Sequence, residues 1–278
     1  MTRRIVFCFL FFALQGCTSI PSVVARVHSA DLLAAQSHWH ASTISAGAFH
    51  LRTYGPEKVL PVKQLAIYVE GDGFAWFNAS TPSSDPTPIN PLALRLALAQ
   101  PGGHAVYLAR PCQYQLHLEQ QCTPEIWTHK RFSSEVVSST NQAVEQLKQQ
   151  YGASSLILVG YSGGGAIAAL VAARRVDVEH LVTVAGNLDP NAWVDYHHLS
   201  ALAGSLNPVD GIANLLRIKQ VHFAGQEDTN MPPALIGGFA NQFPPTSRPE
   251  VRTIKGFNHD CCWVKQWPKL WQQTGIGG

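Results

Sequence analysis

The chain reads as an α/β protein, with a mostly parallel central sheet flanked by helices on both faces. Three observations support this. Short, nearly continuous apolar runs recur at 65–69, 105–108, 156–159, 181–185 and 221–224, and strands of that kind are buried on both sides, as in a parallel sheet. Stretches with helical periodicity separate them, which implies right-handed crossovers. With 46% hydrophobic and only 14% charged residues among 278, the chain can bury one large core, and a solvated disordered chain is excluded.

The first element is a leader. Arg3 and Arg4 precede an apolar run over 5–14, and Gln15-Gly16-Cys17 follows. Crossing a bilayer takes about 20 helical residues, so this run is a signal peptide, expected over 1–16. Residues 17–40, polar with Ser and Ala, form a tether and N-terminal segment ahead of a main domain at 41–278. Without the two leader arginines, 20 − 2 = 18 basic residues face 18 acidic ones. No basic surplus remains for nucleic acid.

Residues 42–54 alternate and stop at Gly55-Pro56, as an antiparallel edge strand or hairpin does. Asn90-Pro91 offers an N-cap and a first helical residue for a helix over 92–99. Phe132, Val136, Thr140, Val144, Leu147 and Tyr151 share one helical face, closed by Gly152. Further helices are expected at 166–174 and at 263–271, the latter bent or interrupted by Pro268, with a last strand at 251–254. Two long connections, 111–131 and 187–210, follow strands. Ligands bind outside the carboxyl ends of the strands in such sheets, so these loops should wall a pocket, with Trp76, Phe77, Trp127, Trp193 and Tyr196 as candidate apolar lining.

The sharpest local signal is Gly160-Tyr161-Ser162-Gly163-Gly164, placed between the run at 156–159 and a helix of small residues. A nucleophile elbow needs this order: a strand turns abruptly into a helix, glycine removes Cβ clashes, and the serine hydroxyl projects from the sheet edge. Gly225-Gln226-Glu227-Asp228 follows the strand at 221–224, and Gly256-Phe257-Asn258-His259 follows the one at 251–254. Asp228 is therefore placed to orient an imidazole and His259 to act as base. Asp189, after the preceding strand, is the rival acid, while Glu227 reads as a solvated loop charge. His197-His198 and His38-Trp39-His40 lack metal-ligand spacing. The motifs call for no metal and no cofactor.

These motifs, over roughly residues 62–272, resemble the α/β-hydrolase superfamily. The resemblance implies Ser162 as nucleophile, Asp228 as acid and His259 as base, acting on a small-molecule or lipid-like acyl substrate through an acyl-enzyme. It also implies two oxyanion donors, the amides of Gly163 and of a residue in Glu70-Gly71-Asp72-Gly73-Phe74, where Asp72 is favoured over Phe74. Glu70 departs from the histidine usual there. A non-catalytic envelope lipoprotein on the same scaffold is the alternative. Leu14-Gln15-Gly16-Cys17 resembles the bacterial lipobox, which implies cleavage before Cys17, a lipid on its sulfur, and anchoring to a membrane of the cell envelope.

Once Cys8 leaves with the leader and Cys17 carries lipid, Cys112, Cys122, Cys261 and Cys262 remain, an even number suited to disulfides in an exported chain. Four cysteines allow three connectivities. Cys112–Cys122 is favoured, with the adjacent Cys261 and Cys262 bonded or free; a link from Cys112 to that pair is the competitor.

Overall fold

The computed structural model describes residues 20–56 and 61–276. The leader, its arginines and Cys17 lie outside the described residues. Eight strands form one sheet: β1 Trp39–Ala46, β2 Phe49–Pro56, β3 Gln64–Val69, β4 His104–Leu108, β5 Ser155–Tyr161, β6 Val178–Val184, β7 Lys219–Gly225 and β8 Glu250–Ile254. Among the described residues nine α-helices accompany them: α1 Val23–Gln36, α2 Leu92–Leu98, α3 Pro124–Trp127, α4 Ser134–Gln150, α5 Gly163–Ala172, α6 Pro190–Tyr196, α7 Ile212–Leu215, α8 Pro233–Asn241 and α9 Trp263–Gln273. The strand order is β1-β2-β4-β3-β5-β6-β7-β8. The β1–β2 hairpin joins β4 antiparallel, and every pairing from β4 through β8 is parallel.

Alternation along the central strands divides the core into two layers, because successive side chains point to opposite faces. Leu65, Ile67 and Val69 pack with α4 and α5, whereas Ala66 and Tyr68 pack with α1, α2 and α9. On the second face Trp267 donates its indole N–H to the Tyr68 hydroxyl at 3.0 Å, and that hydroxyl donates to Gln100 at 2.7 Å. Each buried polar tip thus finds a partner.

Three local details sharpen the sequence reading. Within the tether and N-terminal segment at 17–40, the chain from Val23 is the helix α1, capped by the Ser22 hydroxyl and docked through Val27, Ala30 and Ala34. Its buried Arg26 pairs with Asp85 at 3.2 Å, and its Asp31 accepts from Tyr54 at 2.7 Å. The helix after Asn90 starts at Leu92 as expected, but its N-cap position is Pro91 rather than Asn90. The helix after Ser162 begins at Gly163, three residues earlier, because the reversal uses only Ser162.

One buried group makes stability depend on pH. His222 on β7 lies against Thr183 on β6, Nδ1 to Oγ1 at 2.9 Å, and Phe239 meets its ring edge-on at 5.7 Å. Burial lowers its pKa from 6.5 to about 3. The unfolded chain therefore takes up a proton at this residue below about pH 6.5 while the folded one refuses it. Stability is retained above that pH and lost as pH falls toward the folded value. This one residue is expected to account for about 4 kcal/mol between pH 7 and pH 3.5. Urea unfolding across that range should show a shallower pH slope for His222→Gln than for the wild type; identical slopes would remove His222 as the cause.

Candidate active site

The site is built on the turn between β5 and α5. β5 ends at Tyr161 and α5 begins at Gly163, which leaves Ser162 to reverse the chain at φ 52°, ψ −123°. An L-residue holds positive φ only where its surroundings impose it. Here the Ser162 amide donates to Val184 O at 3.1 Å, and its carbonyl accepts from Gly165 and Asn187, each at 2.9 Å. The flanking glycines let the backbones close in: a Cβ on Gly160 would lie 2.3 Å from Gly164 O, and one on Gly164 would lie 2.3 Å from Val69 O.

The Ser162 hydroxyl, freed by that turn, meets His259 Nε2 at 3.0 Å. His259 Nδ1 meets Asp228 Oδ2 at 2.9 Å. The other carboxylate oxygen, Oδ1, accepts from the amides of Asn230 at 2.9 Å and Met231 at 2.7 Å, so the fully buried Asp228 side chain is fixed at both oxygens. The histidine loop is held too. The Trp263 indole donates to the carbonyls of Asn258 and His259, both at 3.0 Å. Tyr161 lies beside the imidazole, ring centroids 5.4 Å apart, and its hydroxyl donates to Asp260 at 3.0 Å.

A second group of residues comes from the loop after β3. Phe74 spends its amide on Pro86 O at 3.1 Å, whereas the amides of Asp72 and Gly163 have no hydrogen-bond partner among the described residues. Of the two donors weighed from sequence, Asp72 is the one with an amide to give. Its carboxylate lies against the elbow, 2.1 Å from where a Cβ on Gly163 would be. Arg131 Nη1 binds it at 2.6 Å and Arg110 Nη1 at 3.2 Å. Arg110 also donates to the Arg131 carbonyl. Burial pushes the Asp72 carboxyl up, but the two guanidinium groups outweigh it and hold the group below the ordinary carboxylate value. Glu70 is different: burial raises its pKa to about 7, although its Oε1 accepts from the amides of Gly71 at 3.0 Å and Ala93 at 3.3 Å. It ties the loop to the start of α2.

Ser162 and His259 open into a cavity of about 690 Å³ that also touches Trp76, Arg131, Trp193 and Asp260. That volume suits a small organic ligand.

A family model described as Lipase (class 3) matches residues 110–183, a stretch that includes the elbow. Solved structures match over nearly the whole chain. An α/β serine hydrolase without a lid from Xanthomonas campestris aligns with 13% identity and TM-score 0.56, covering 85% of this chain and 93% of that one. Naproxen esterase (carboxylesterase NP) from Bacillus subtilis aligns with 10% identity and TM-score 0.58, covering 92% and 98%. An esterase from Pyrococcus furiosus aligns with 11% identity and TM-score 0.56, covering 86% and 89%. The chain has the α/β-hydrolase fold. No curated protein matches it in sequence.

On the α/β-hydrolase fold, the residues singled out from sequence fall into two sets. Ser162, His259 and Asp72 line one cavity, with Asp228 behind His259 and Gly163 next to Ser162 against Asp72. Asp189 does not join them: its Oδ1 caps α6 through Ala192 N at 3.1 Å and accepts from Asn207 at 2.8 Å. Of the five aromatic candidates, Trp76 and Trp193 line the cavity, Trp127 is buried, and Phe77 and Tyr196 are exposed. Cys112 and Cys122 are bonded with Cα atoms 5.5 Å apart, and Cys261 is bonded to Cys262. Sequence reading missed Arg110, Arg131 and the Tyr161–Asp260 latch. Their partners lie as many as 99 positions away along the chain, and no local pattern announces them.

The Asp72 cluster yields a stability test. Asp72→Ala would leave two buried guanidinium groups without their carboxylate, a change that costs about 3 kcal/mol. Thermal unfolding should show a clearly lowered Tm for Asp72→Ala and a smaller loss for Asp72→Asn, which keeps hydrogen-bond acceptance. Wild-type stability in both variants would mean that the arginines do not depend on Asp72.

Proposed function

We propose that the chain is a serine hydrolase that cleaves carboxylic esters, or related acyl bonds, through an acyl-enzyme. One observation carries this reading: the unbroken row from Ser162 Oγ to His259 Nε2 at 3.0 Å and from His259 Nδ1 to Asp228 Oδ2 at 2.9 Å. The Lipase (class 3) match and the hydrolase and esterase neighbours support it.

A serine hydroxyl is a weak nucleophile near neutral pH, so His259 takes its proton as the oxygen attacks the acyl carbon. Asp228 keeps the imidazole in the tautomer with hydrogen on Nδ1 and stabilises the cation that forms. The carbonyl oxygen gains negative charge as it becomes tetrahedral, and the amides of Asp72 and Gly163 receive it. His259 then returns the proton to the departing alcohol. Water, activated by the same imidazole, attacks the acyl-serine, and the acid leaves.

For localisation we carry forward the lipobox resemblance: export with lipid on Cys17 would hold the enzyme at a bacterial envelope membrane. Among the described residues no helix is long and apolar enough to cross a membrane. Cys17→Ser should move the protein from the membrane fraction to the soluble exported fraction or stall its processing. Unchanged fractionation would remove the anchor.

Ser162→Ala should abolish both fluorophosphonate labelling and hydrolysis of p-nitrophenyl esters while leaving the Tm in place. Asp228→Asn should lower kcat by about 10⁴-fold, since an amide leaves the wrong tautomer, and Asp189→Asn should change it little. A labelled, active Ser162→Ala protein would refute the assignment. A wild type that binds esters without turning them over would point to a binding module.

A further inference from the structure

A second chamber adjoins the serine cavity. It measures about 420 Å³ and shares Trp76, Arg131 and Trp193 with it, which makes these three side chains the threshold between the two spaces. Beyond the threshold the wall is largely apolar, with Ala79, Leu199, Ala201 and Leu202. The serine cavity is more mixed: Glu70, Asp72, Asn90, Asn230 and Asp260 reach its lining beside Phe74, Ala75, Pro88 and Ile89.

The chamber is built rather than incidental. The Trp193 indole donates to Asn230 O at 3.0 Å, and the Arg131 guanidinium lies over the Trp193 ring, 5.8 Å from its centre. The segment carrying Leu199 to Leu202 is tied down just beyond: the Ser205 hydroxyl donates to His129 O at 2.6 Å and accepts from Phe132 N at 3.1 Å. Large apolar side chains nonetheless stay open to solvent along the wall, Trp76 at 40% and Leu199 at 50% exposure. Their burial by an alkyl group would be favourable, because it removes apolar surface from water.

Which arm of an ester enters is decided by His259. The departing alcohol must take its proton from His259 Nε2, and both His259 and Asp260 border the serine cavity but not the second chamber. The alcohol therefore leaves on the polar, histidine side, and the acyl arm points across the threshold. Resting on the hydrolase reading above, we infer that the Trp76–Arg131–Trp193 threshold admits a medium-length apolar acyl chain, while the polar cavity receives the alcohol. The substrates are then amphiphilic esters, with an alkyl acyl group and a hydrophilic alcohol.

The experiment uses p-nitrophenyl acetate, butyrate, hexanoate and octanoate with wild type, Ala201→Trp and Leu199→Trp, each checked for a cooperative thermal transition. Filling the chamber should lower the octanoate-to-acetate ratio of kcat/KM by at least about tenfold, the scale of a few lost methylene contacts. A parallel series of butyrate esters with methanol, butanol and hexanol should keep its ratios. An unchanged acyl ratio in both folded variants overturns the inference, and so does a shift confined to the alcohol series. Binding separates the inference from the hydrolase reading. Titrating Ser162→Ala with sodium octanoate and sodium acetate should show the longer acid binding more tightly, with that preference lost when Ala201→Trp is added. Octanoate preference in a protein that cleaves no ester would leave the chamber standing and overturn the enzyme; equal binding of both acids would overturn the chamber.

Discussion

A single residue held at positive φ organises this molecule's functional end. Ser162 reverses the chain between β5 and α5 with no other residue to share the turn, a conformation that costs on the order of 1–3 kcal/mol. The cost is sustained by the parallel sheet around it. β6 supplies Val184 O to the Ser162 amide, and the chain just past β6 supplies Asn187 N to its carbonyl. Glycines at 160 and 164 allow β3, β5 and α5 to approach to distances that any side chain would prevent. The exposure of the Ser162 hydroxyl and the tightness of the central packing are one constraint.

Around that fixed hydroxyl, charge is arranged so that groups of opposite demand can coexist. A free carboxylate beside the place where the proposed oxyanion would form would repel it. Asp72 sits there, yet Arg131 and Arg110 neutralise it and turn it into an anchor for the loop that offers the Asp72 amide. Asp228 is held as an acceptor by two backbone amides, which also aim its second oxygen at His259. Glu70 serves through geometry, tying the loop to α2, and its raised pKa reflects how little solvent reaches it. The acids near the serine thus have separate tasks set by their partners.

How much of this could be read from the chain depends on the range of each interaction. Strands β3 to β7 announced themselves because burial on both faces demands continuous apolar runs, and the elbow did so because its glycines and serine are contiguous; β8, at the sheet edge with Arg252 and Thr253, shows no such run. The helix α1 escaped notice: its buried face uses Val27 and small alanines, with Val23 and Leu33 partly covered at the margin, and its polar residues look solvated until Arg26 meets Asp85 and Asp31 meets Tyr54. α8 opens on prolines and contains Gly237 and Gly238, which mask a helical pattern. Arg131 was illegible for a different reason. Its carboxylate partner is 59 residues away and its aromatic neighbour 62, so only the folded chain brings them together. Which of the Asp72 and Phe74 amides stays free was likewise illegible, because it depends on Pro86, whose carbonyl occupies the Phe74 amide.

The most direct test is a crystal structure of the protein after reaction with a small alkyl fluorophosphonate. The phosphorus should be bonded to Ser162 Oγ, its free oxygen should lie within hydrogen-bonding distance of the Asp72 and Gly163 amides, and His259 should remain between Ser162 and Asp228. Phosphorus on another residue, or on Ser162 with its oxygen turned away from both amides, would contradict the arrangement proposed for catalysis.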